Sequence, residues 1–236
     1  MPNGHRLAAS PKLTVELVAN APTLHTLIAS YRNLSWRDRL HMIIRWRVCP
    51  MRRIAALLPA GGVVVDLGCG HGLFTQLLAR TSARREVIGV DLDAHKIAIA
   101  QQLQLPNLRF IASDVADADL PPAAGISILD LFYLVPFEVQ EHLLEVCSAK
   151  LSHDGVIVLK DMAETPRWKL ALNWLEETLA VRVLRITASA DGGRFYFRTR
   201  AQWQSLFEQL GFRVETIALD RGYYHPHVVF IARKAG

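Results

Sequence analysis

The chain has 236 residues, 51% of them apolar and 21% charged, a balance that can bury a large core and argues against intrinsic disorder. The net charge of +5 is uneven, because the first 60 residues hold nine basic and two acidic side chains. No apolar run reaches the roughly 18 residues that a membrane-spanning helix needs, and the first ten residues lack the apolar stretch of a secretory signal. The three cysteines have no CxxC spacing. We therefore expect a cytoplasmic protein without a disulfide framework or a metal site.

Two helical segments, residues 14–28 and 35–58, are predicted before the first strand. Pro50 kinks or divides the second, because proline lacks the amide hydrogen and clashes with the preceding turn. We predict that residues 1–58 form a basic helical cap over the open edge of the domain that follows, residues 59–236.

Short apolar runs that end in an acidic residue alternate with helical patterns after the cap. The runs are Val63–Asp66, Glu86–Asp91, Leu108–Asp114, Ile126–Asp130 and Val156–Asp161, and the helical patterns cover residues 73–79, 94–103 and 137–151. Nearly continuous apolar strands are typical of a parallel sheet covered on both faces. Their alternation with helices predicts an α/β fold with a doubly wound, mostly parallel sheet.

The C-terminal part has a different rhythm. A helix over residues 199–210 is predicted to end at Gly211, which suits a helix C-terminus. Two strand-like runs follow, residues 212–219 and 227–233, and we expect them to pair as an antiparallel hairpin.

The main motif is a strand, then Asp66-Leu67-Gly68-Cys69-Gly70-His71-Gly72, then a helix. The glycines let the backbone turn tightly and approach a ligand, and the helix N-terminus offers amides to an anion. A dinucleotide fingerprint has two residues between its second and third glycines, whereas only His71 stands there, which disfavours an NAD-dependent oxidoreductase. Asp66 can accept a hydrogen bond from an ammonium group, which a pyrophosphate ligand lacks.

The run VVVDLGCGHGLFTQLLA, residues 63–79, resembles motif I of the class I S-adenosylmethionine-dependent methyltransferases, and the resemblance extends to about Lys234. It implies a Rossmann-like, seven-stranded sheet with one antiparallel edge strand, S-adenosylmethionine as cofactor and S-adenosylhomocysteine as product. It implies that Asp91 binds the ribose hydroxyls, that Leu92 or Asp93 lies beside the adenine, and that residues 130–136 line the methyl-transfer site. The implied cofactor-binding residues are Asp66, Gly68, Cys69, Gly70, Gly72, Asp91, Leu92, Asp114, Val115 and Asp130.

Methyl transfer leaves the protein mainly to position the acceptor and to handle a proton, because the cofactor supplies the leaving group. An oxygen acceptor would benefit from a general base, and histidine titrates near neutral pH. The candidate catalytic side chains are His71, Tyr133 and His225, with His25, His41 and His227 as further histidines. A structural role is the alternative for each of them.

The acceptor is expected to be a small molecule. The stretch Asp130-Leu131-Phe132-Tyr133 lacks the Asn/Asp-Pro-Pro-Tyr/Phe element typical of methyltransferases that act on nucleobase or glutamine nitrogens, and no RNA-binding module is recognisable. A lid insertion near residues 165–198 is rich in aromatic residues, which suits an apolar, aromatic, lipid-like or carrier-bound acceptor, with O-methylation favoured. The alternatives are an RNA methyltransferase and a non-catalytic binding protein with the same fold.

Arginines and apolar residues interleave in the cap between Arg32 and Arg53. A cationic helix with tryptophans can lie on an anionic bilayer, which would place the protein at the inner membrane surface, or can dock an acidic carrier protein. A solvated lid is the alternative. The candidate contact residues are Arg37, Arg39, Arg45, Arg47, Arg52 and Arg53. A nucleic-acid partner is disfavoured, and the sequence does not define an oligomeric state.

Overall fold

The computed structural model describes residues 21–115, 117–162, 195–219 and 227–234. The helices are α1 (Leu24–Ile28), α2 (Trp36–Val48), α3 (Met51–Ala55), α4 (Leu73–Thr81), α5 (Ala94–Ala100), α6 (Phe137–Lys150) and α7 (Arg200–Gln209), with a 3₁₀ turn at Phe132–Leu134. The strands are β1 (Gly62–Leu67), β2 (Arg85–Asp91), β3 (Leu108–Ala112), β4 (Ala123–Leu129), β5 (Leu151–Met162), β6 (Phe212–Ala218) and β7 (His227–Lys234).

The strands form one seven-stranded sheet in the order β3-β2-β1-β4-β5-β7-β6. Strands β1 to β5 pair in parallel, while β7 pairs antiparallel with both β5 and β6. This confirms the predicted doubly wound sheet and its antiparallel C-terminal hairpin. The antiparallel strand does not lie at the edge, where it was expected, because β7 inserts between β5 and the edge strand β6. The strand order reverses between β1 and β4, and in open α/β sheets ligands bind at the carboxyl ends of the strands on either side of such a switch point.

Two strands begin earlier than the sequence pattern indicates. Strand β4 begins at Ala123 rather than Ile126, and β5 begins at Leu151 rather than Val156. The two early starts belong together, because Ala123 pairs with Leu151 and the register then shifts before Gly125 pairs with Val156. An irregularity of this kind breaks the apolar pattern that marks a strand in the sequence.

The cap follows the predicted division at proline. Pro50 separates α2 from α3, which confirms that it divides the second segment. Helix α2 begins after Ser35, whose hydroxyl accepts a hydrogen bond from the amide of Asp38 at 3.2 Å. Residues 14–20 of the first predicted segment lie outside the described residues, and α1 begins after Thr23. None of the described helices is long and apolar enough to cross a membrane.

The sheet separates two hydrophobic clusters. One cluster joins the cap to one face of the sheet and to α4, and its members include Leu27, Met42, Ile54, Leu77 and Val64. The other packs α6 and α7 on the opposite face and includes Ile126, Leu144, Trp203, Phe207 and Phe230. The cap therefore shares the core of the sheet and has no separate core of its own among the described residues.

A buried arginine fastens the connection between the cap and β1. The Arg85 side chain is only 1% exposed, and burial lowers its pKa to about 10. Its guanidinium donates hydrogen bonds to the carbonyl oxygens of Ala55, Leu58, Pro59 and Leu78 and to the Thr81 hydroxyl, over 2.6–3.2 Å. These bonds use all of its donors, which offsets the cost of burying the charge.

The cysteines are free thiols, and two of them are buried. Burial raises the pKa of Cys49 to about 11 and that of Cys147 to about 12. The pKa of the half-buried Cys69 is also raised, first by burial and then by the charges of Asp66 and Asp91. A thiol with a raised pKa is a poor nucleophile, so none of the three thiols is activated, and the two buried ones act as packing residues.

Candidate active site

The loop between β1 and α4 holds its three glycines in the left-handed region. The φ angles are +70° at Gly68, +55° at Gly70 and +78° at Gly72, a conformation that other residues adopt at a cost. A Cβ at Gly72 would lie 2.6 Å from the Phe110 ring. At Gly70, in contrast, the nearest atom to such a Cβ is Cδ of Lys96 at 3.9 Å, so the space above this part of the loop is open to a ligand.

Asp91 fixes the glycine loop to the end of β2. Its Oδ2 atom accepts a hydrogen bond from the Gly70 amide at 2.7 Å, and its Oδ1 accepts one from the Asp93 amide at 2.9 Å. The carboxylate is half-buried and has further lone pairs for hydroxyl donors. Leu92, which follows, is 74% exposed and presents apolar surface beside the carboxylate. This arrangement fits a ribose with a planar base beside it.

Asp66 lies at the end of β1, as predicted, but it faces the interior. It is 2% exposed, and its two carboxylate oxygens accept hydrogen bonds from the hydroxyls of Thr75 at 2.7 Å and Ser127 at 2.8 Å. Burial raises its pKa to about 6, against the lowering effect of these two bonds. Its shown contacts join β1 to α4 and β4, and direct contact with a ligand ammonium group stays a prediction.

The predicted adenine-reading residues follow β3. Asp114 is exposed, while Val115 is 8% exposed and belongs to the cluster that packs α6 and α7. Cys69 is half-buried within the glycine loop. The role of all three toward the cofactor stays a prediction.

Asp130 lies at the end of β4 and anchors a buried ionic cluster. Its φ angle of +56° is unusual for a residue other than glycine. One carboxylate oxygen accepts a hydrogen bond from Nη1 of Arg45 at 2.6 Å, and the other accepts one from Nζ of Lys160 on β5. Burial acts to raise the pKa of Asp130, but the charges of Lys160 and Arg45 outweigh it and hold that pKa well below its usual range. The carboxylate is therefore ionised and paired.

The cap contacts the glycine loop directly. The Tyr31 hydroxyl donates to the carbonyl oxygen of His71 at 2.7 Å, and Nε2 of His71 lies 3.1 Å from Oδ1 of Asp38. The His41 ring lies 5.4 Å from the His71 ring, centroid to centroid. Burial, followed by the charge of Arg45, lowers the pKa of His41 to about 3, and burial also lowers the pKa of His71. Both imidazoles are thus neutral at pH 7.

The candidate catalytic residues lie in different environments. Tyr133 is 3% exposed, stacks on Phe197 with ring centroids 5.5 Å apart, and lies 6.0 Å from the Phe195 ring. Its carbonyl oxygen accepts a hydrogen bond from the Tyr196 amide at 2.9 Å, so the described end of the predicted lid packs on this turn. His225 and residues 163–194 lie outside the described residues. The other histidines are divided: His25 on α1 is exposed, and His227 on β7 is 3% exposed.

Two of the six arginines that were predicted as candidate contacts for a partner make contacts within the chain. Arg45 pairs with Asp130, and Nη2 of Arg52 donates to the carbonyl oxygen of Pro22 at 3.0 Å while its guanidinium lies over Trp46. Buried acceptors attract these two side chains inward, because an unpaired buried carboxylate or carbonyl is costly. The exposed members are Arg37, Arg39, Arg47 and Arg53. Docking of a membrane or carrier protein on them stays a prediction.

Sequence reasoning did not assign site roles to Tyr31, Asp38 or Lys160, or pair Arg45 with Asp130. Two signals could have found part of this set. A lysine within the apolar run that ends at Asp161 is unusual for a buried strand, and Asp38 and Arg45 are spaced to share one helix face.

The strand order, the glycine loop after β1 and the acidic residue at the end of β2 together define a Rossmann-like methyltransferase fold. A family model described as "Methyltransferase domain" matches residues 41–217, about three quarters of the chain. The chain therefore belongs to this family, within the class I S-adenosylmethionine-dependent methyltransferases.

Similar proteins have been named for a small acceptor. The chain is 34% identical over 134 residues to trans-aconitate 2-methyltransferase of Delftia acidovorans, covering 54% of this chain and 49% of that enzyme. It is 44% identical over 115 residues to the enzyme of the same name from Variovorax paradoxus, covering 48% and 44%. The matches thus span less than half of the length of these two relatives.

A solved structure shows a similar fold over the whole chain. It is the 1,6-didemethyltoxoflavin-N1-methyltransferase of Burkholderia thailandensis, with bound 1,6-didemethyltoxoflavin and S-adenosylhomocysteine. The TM-score is 0.61 at 17% identity, and the alignment covers 100% of this chain and 93% of that one. At this level of identity the likeness concerns the fold.

Proposed function

We propose that the protein transfers the methyl group of S-adenosylmethionine to an oxygen of a small-molecule acceptor. One observation carries the cofactor part of the proposal. The glycine loop is fastened by its Gly70 amide to Asp91, with open space above Gly70 and exposed apolar surface at Leu92. A nucleoside with an attached amino-acid chain requires this combination: a close backbone approach, a carboxylate for hydroxyls and a surface for a flat base.

The acceptor part draws on the methyl-transfer edge and on the relatives. The aromatic rings of Tyr133, Phe195 and Phe197 pack against one another beside the end of β4, which favours an acceptor with an apolar or aromatic portion. Transfer to oxygen is supported by the relatives' names, since trans-aconitate has no nitrogen to accept a methyl group.

The chain's own residues would act mainly by positioning. The bound cofactor supplies an electrophilic methyl group on a sulfonium. Helix α2 lies over the glycine loop and the end of β4, through Asp38 and Arg45, and so covers the transfer edge. The neutral imidazole of His71 next to it can accept a proton from a hydroxyl acceptor, whereas His41, with a pKa of about 3, is too weak a base for this role. A carboxylate acceptor needs no base.

Calorimetric titration with S-adenosylhomocysteine tests the cofactor part. We expect the wild-type protein to bind, and Asp91→Ala to weaken binding by about 1–3 kcal/mol because the ribose loses its acceptor. Asp154→Ala is the matched control, since Asp154 is 90% exposed and lies at the opposite end of the sheet. A wild-type protein that binds nothing at high micromolar ligand, or equal affinities of the two variants, would contradict the proposal.

A further inference from the structure

Arg45 brings a cap side chain to the switch point of the sheet. It extends from α2 to Asp130 at the end of β4, and β4 pairs directly with β1, which leads into the glycine loop. The guanidinium therefore lies at the carboxyl end of β4, beside the strand that leads into the glycine loop. Its side chain is 27% exposed, whereas that of Asp130 is 4% exposed.

The pairing with Asp130 leaves most of the guanidinium unused. A guanidinium has five N–H donors in a planar fork, and in the described part of the chain the Arg45 side chain makes one hydrogen bond, from Nη1 to Asp130. The other oxygen of Asp130 is taken by Lys160, which is 3% exposed and cannot reach a ligand without moving. The partly exposed Arg45 side chain thus keeps hydrogen-bond donors for which the described residues supply no acceptor.

Among the described residues, the neighbouring groups do not supply a second anion to Arg45. The Asp66 carboxylate accepts hydrogen bonds from Thr75 and Ser127, and Asp38 faces His71. His41, the near neighbour on the same helix face, is neutral at pH 7 and offers no negative charge.

We propose that Arg45 is a specificity-determining residue that binds a carboxylate at the methyl-transfer edge. A planar guanidinium with two free N–H groups can donate to both oxygens of a carboxylate at once. The ammonium group of a lysine is a point charge and lacks this geometric match. The carboxylate belongs either to the acceptor or to the methionine part of the cofactor. This inference rests on the proposed function, since both sources are ligands of the same site.

One pair of ligands and one further ligand separate the two sources. S-adenosylhomocysteine carries the amino-acid carboxylate, and 5′-methylthioadenosine shares its nucleoside but lacks that group. Binding of trans-aconitate to the protein saturated with S-adenosylhomocysteine probes the acceptor side. Both are measured by calorimetry on the full chain with Arg45→Gln and, as a matched control, Arg47→Gln, because Arg47 is exposed on the same helix.

If the carboxylate is that of the cofactor, Arg45→Gln weakens S-adenosylhomocysteine about tenfold or more and leaves 5′-methylthioadenosine unchanged. If it is that of the acceptor, S-adenosylhomocysteine binds normally and trans-aconitate weakens by a similar factor. Arg45→Lys keeps the ion pair with Asp130 without the fork, so it should fold and show part of the same loss even where Arg45→Gln does not fold.

The proposal is overturned when the Arg45 variants bind S-adenosylhomocysteine and trans-aconitate with the same affinities as Arg47→Gln. A wild-type protein that binds neither S-adenosylhomocysteine nor 5′-methylthioadenosine would instead contradict the proposed function itself. The two failures are therefore distinguishable in one series of titrations.

Discussion

The buried carboxyl group of Asp66 holds a proton more tightly in the folded protein than in the unfolded chain. Its pKa is about 6 in the fold against an ordinary value of 3.8. The folded state therefore binds a proton that the unfolded state releases at intermediate pH. The contribution of Asp66 to stability is full below about pH 4 and is lost as the pH rises through 6.

This protonation can be isolated by difference. We expect the free energy of unfolding of the wild-type protein, minus that of Asp66→Asn, to fall by roughly 3 kcal/mol between pH 4 and pH 7. Asp130 titrates in both proteins, in the opposite sense, and largely cancels in the difference. Urea unfolding of the two proteins at four or five pH values measures it. A difference that does not change with pH would show that Asp66 has an ordinary pKa.

Single residues also show where local sequence patterns suffice. The glycine loop and Asp91 could be predicted from sequence because their positions depend on residues close to them in the chain. Each follows directly from the strand that precedes it. The pairing of Arg45 with Asp130 was not predicted, because Asp130 is 85 residues away and no spacing rule relates the two residues. Burial and pairing of that kind depend on the complete fold.

Helix α2 exposes several large apolar side chains and turns two charged side chains toward the site, which a simple amphipathic pattern does not predict. Trp36, Leu40 and Ile44 are 70%, 43% and 44% exposed, respectively, while Asp38 and Arg45 turn toward the site. The helix boundaries could be predicted from Pro50 and the polar start signal. Its orientation could not, because the inward face combines Met42, which packs in the core, with Asp38 and Arg45, whose partners lie on distant parts of the chain.

Tyr31, which follows α1, links the cap to the glycine loop through its hydroxyl group. Tyr31→Phe removes the hydrogen bond to His71, so we expect the free energy of unfolding to fall by about 1 kcal/mol and the affinity for S-adenosylhomocysteine to fall with it. Calorimetry and urea unfolding measure the two effects.

Thr23→Ala is the matched control for that change. It removes the N-terminal cap of α1 and should lower stability by a similar amount, about 1 kcal/mol, without altering the glycine loop. Equal cofactor affinity in the two variants would mean that the cap does not support the loop.

At the scale of the molecule, the cap and the sheet share one hydrophobic cluster. Leu27 and Ile54 of the cap are fully buried together with Leu77 of α4, so neither part can lose its packing alone. The sequence predicted a cap as a segment because its helices precede the first strand. It could not indicate that this segment packs into the core of the sheet. A separate cap and a cap that shares the core have the same local sequence pattern.

We therefore expect a single cooperative unfolding transition. Tryptophan fluorescence reports on the five tryptophans of the chain, which include Trp36 and Trp46 in the cap and Trp203 on the other face of the sheet. Far-UV circular dichroism reports on the secondary structure of the whole chain. The two urea transitions should coincide. An early fluorescence transition before the loss of secondary structure would indicate a cap that unfolds independently.

Arg85 sets a boundary for anyone who recombines this protein with a relative. Its guanidinium is bonded to carbonyl oxygens from Ala55 to Pro59, at the end of the cap, and to α4. A chimera joined at the first strand would keep the arginine and its two acceptors on α4 but replace the segment that positions its other three, so the buried cation would lose bonds wherever the new backbone lies differently. A junction placed before Ala55 would carry the donor and its carbonyls together. The cap helices before Ala55 could then be exchanged without disturbing the hydrogen bonds of Arg85.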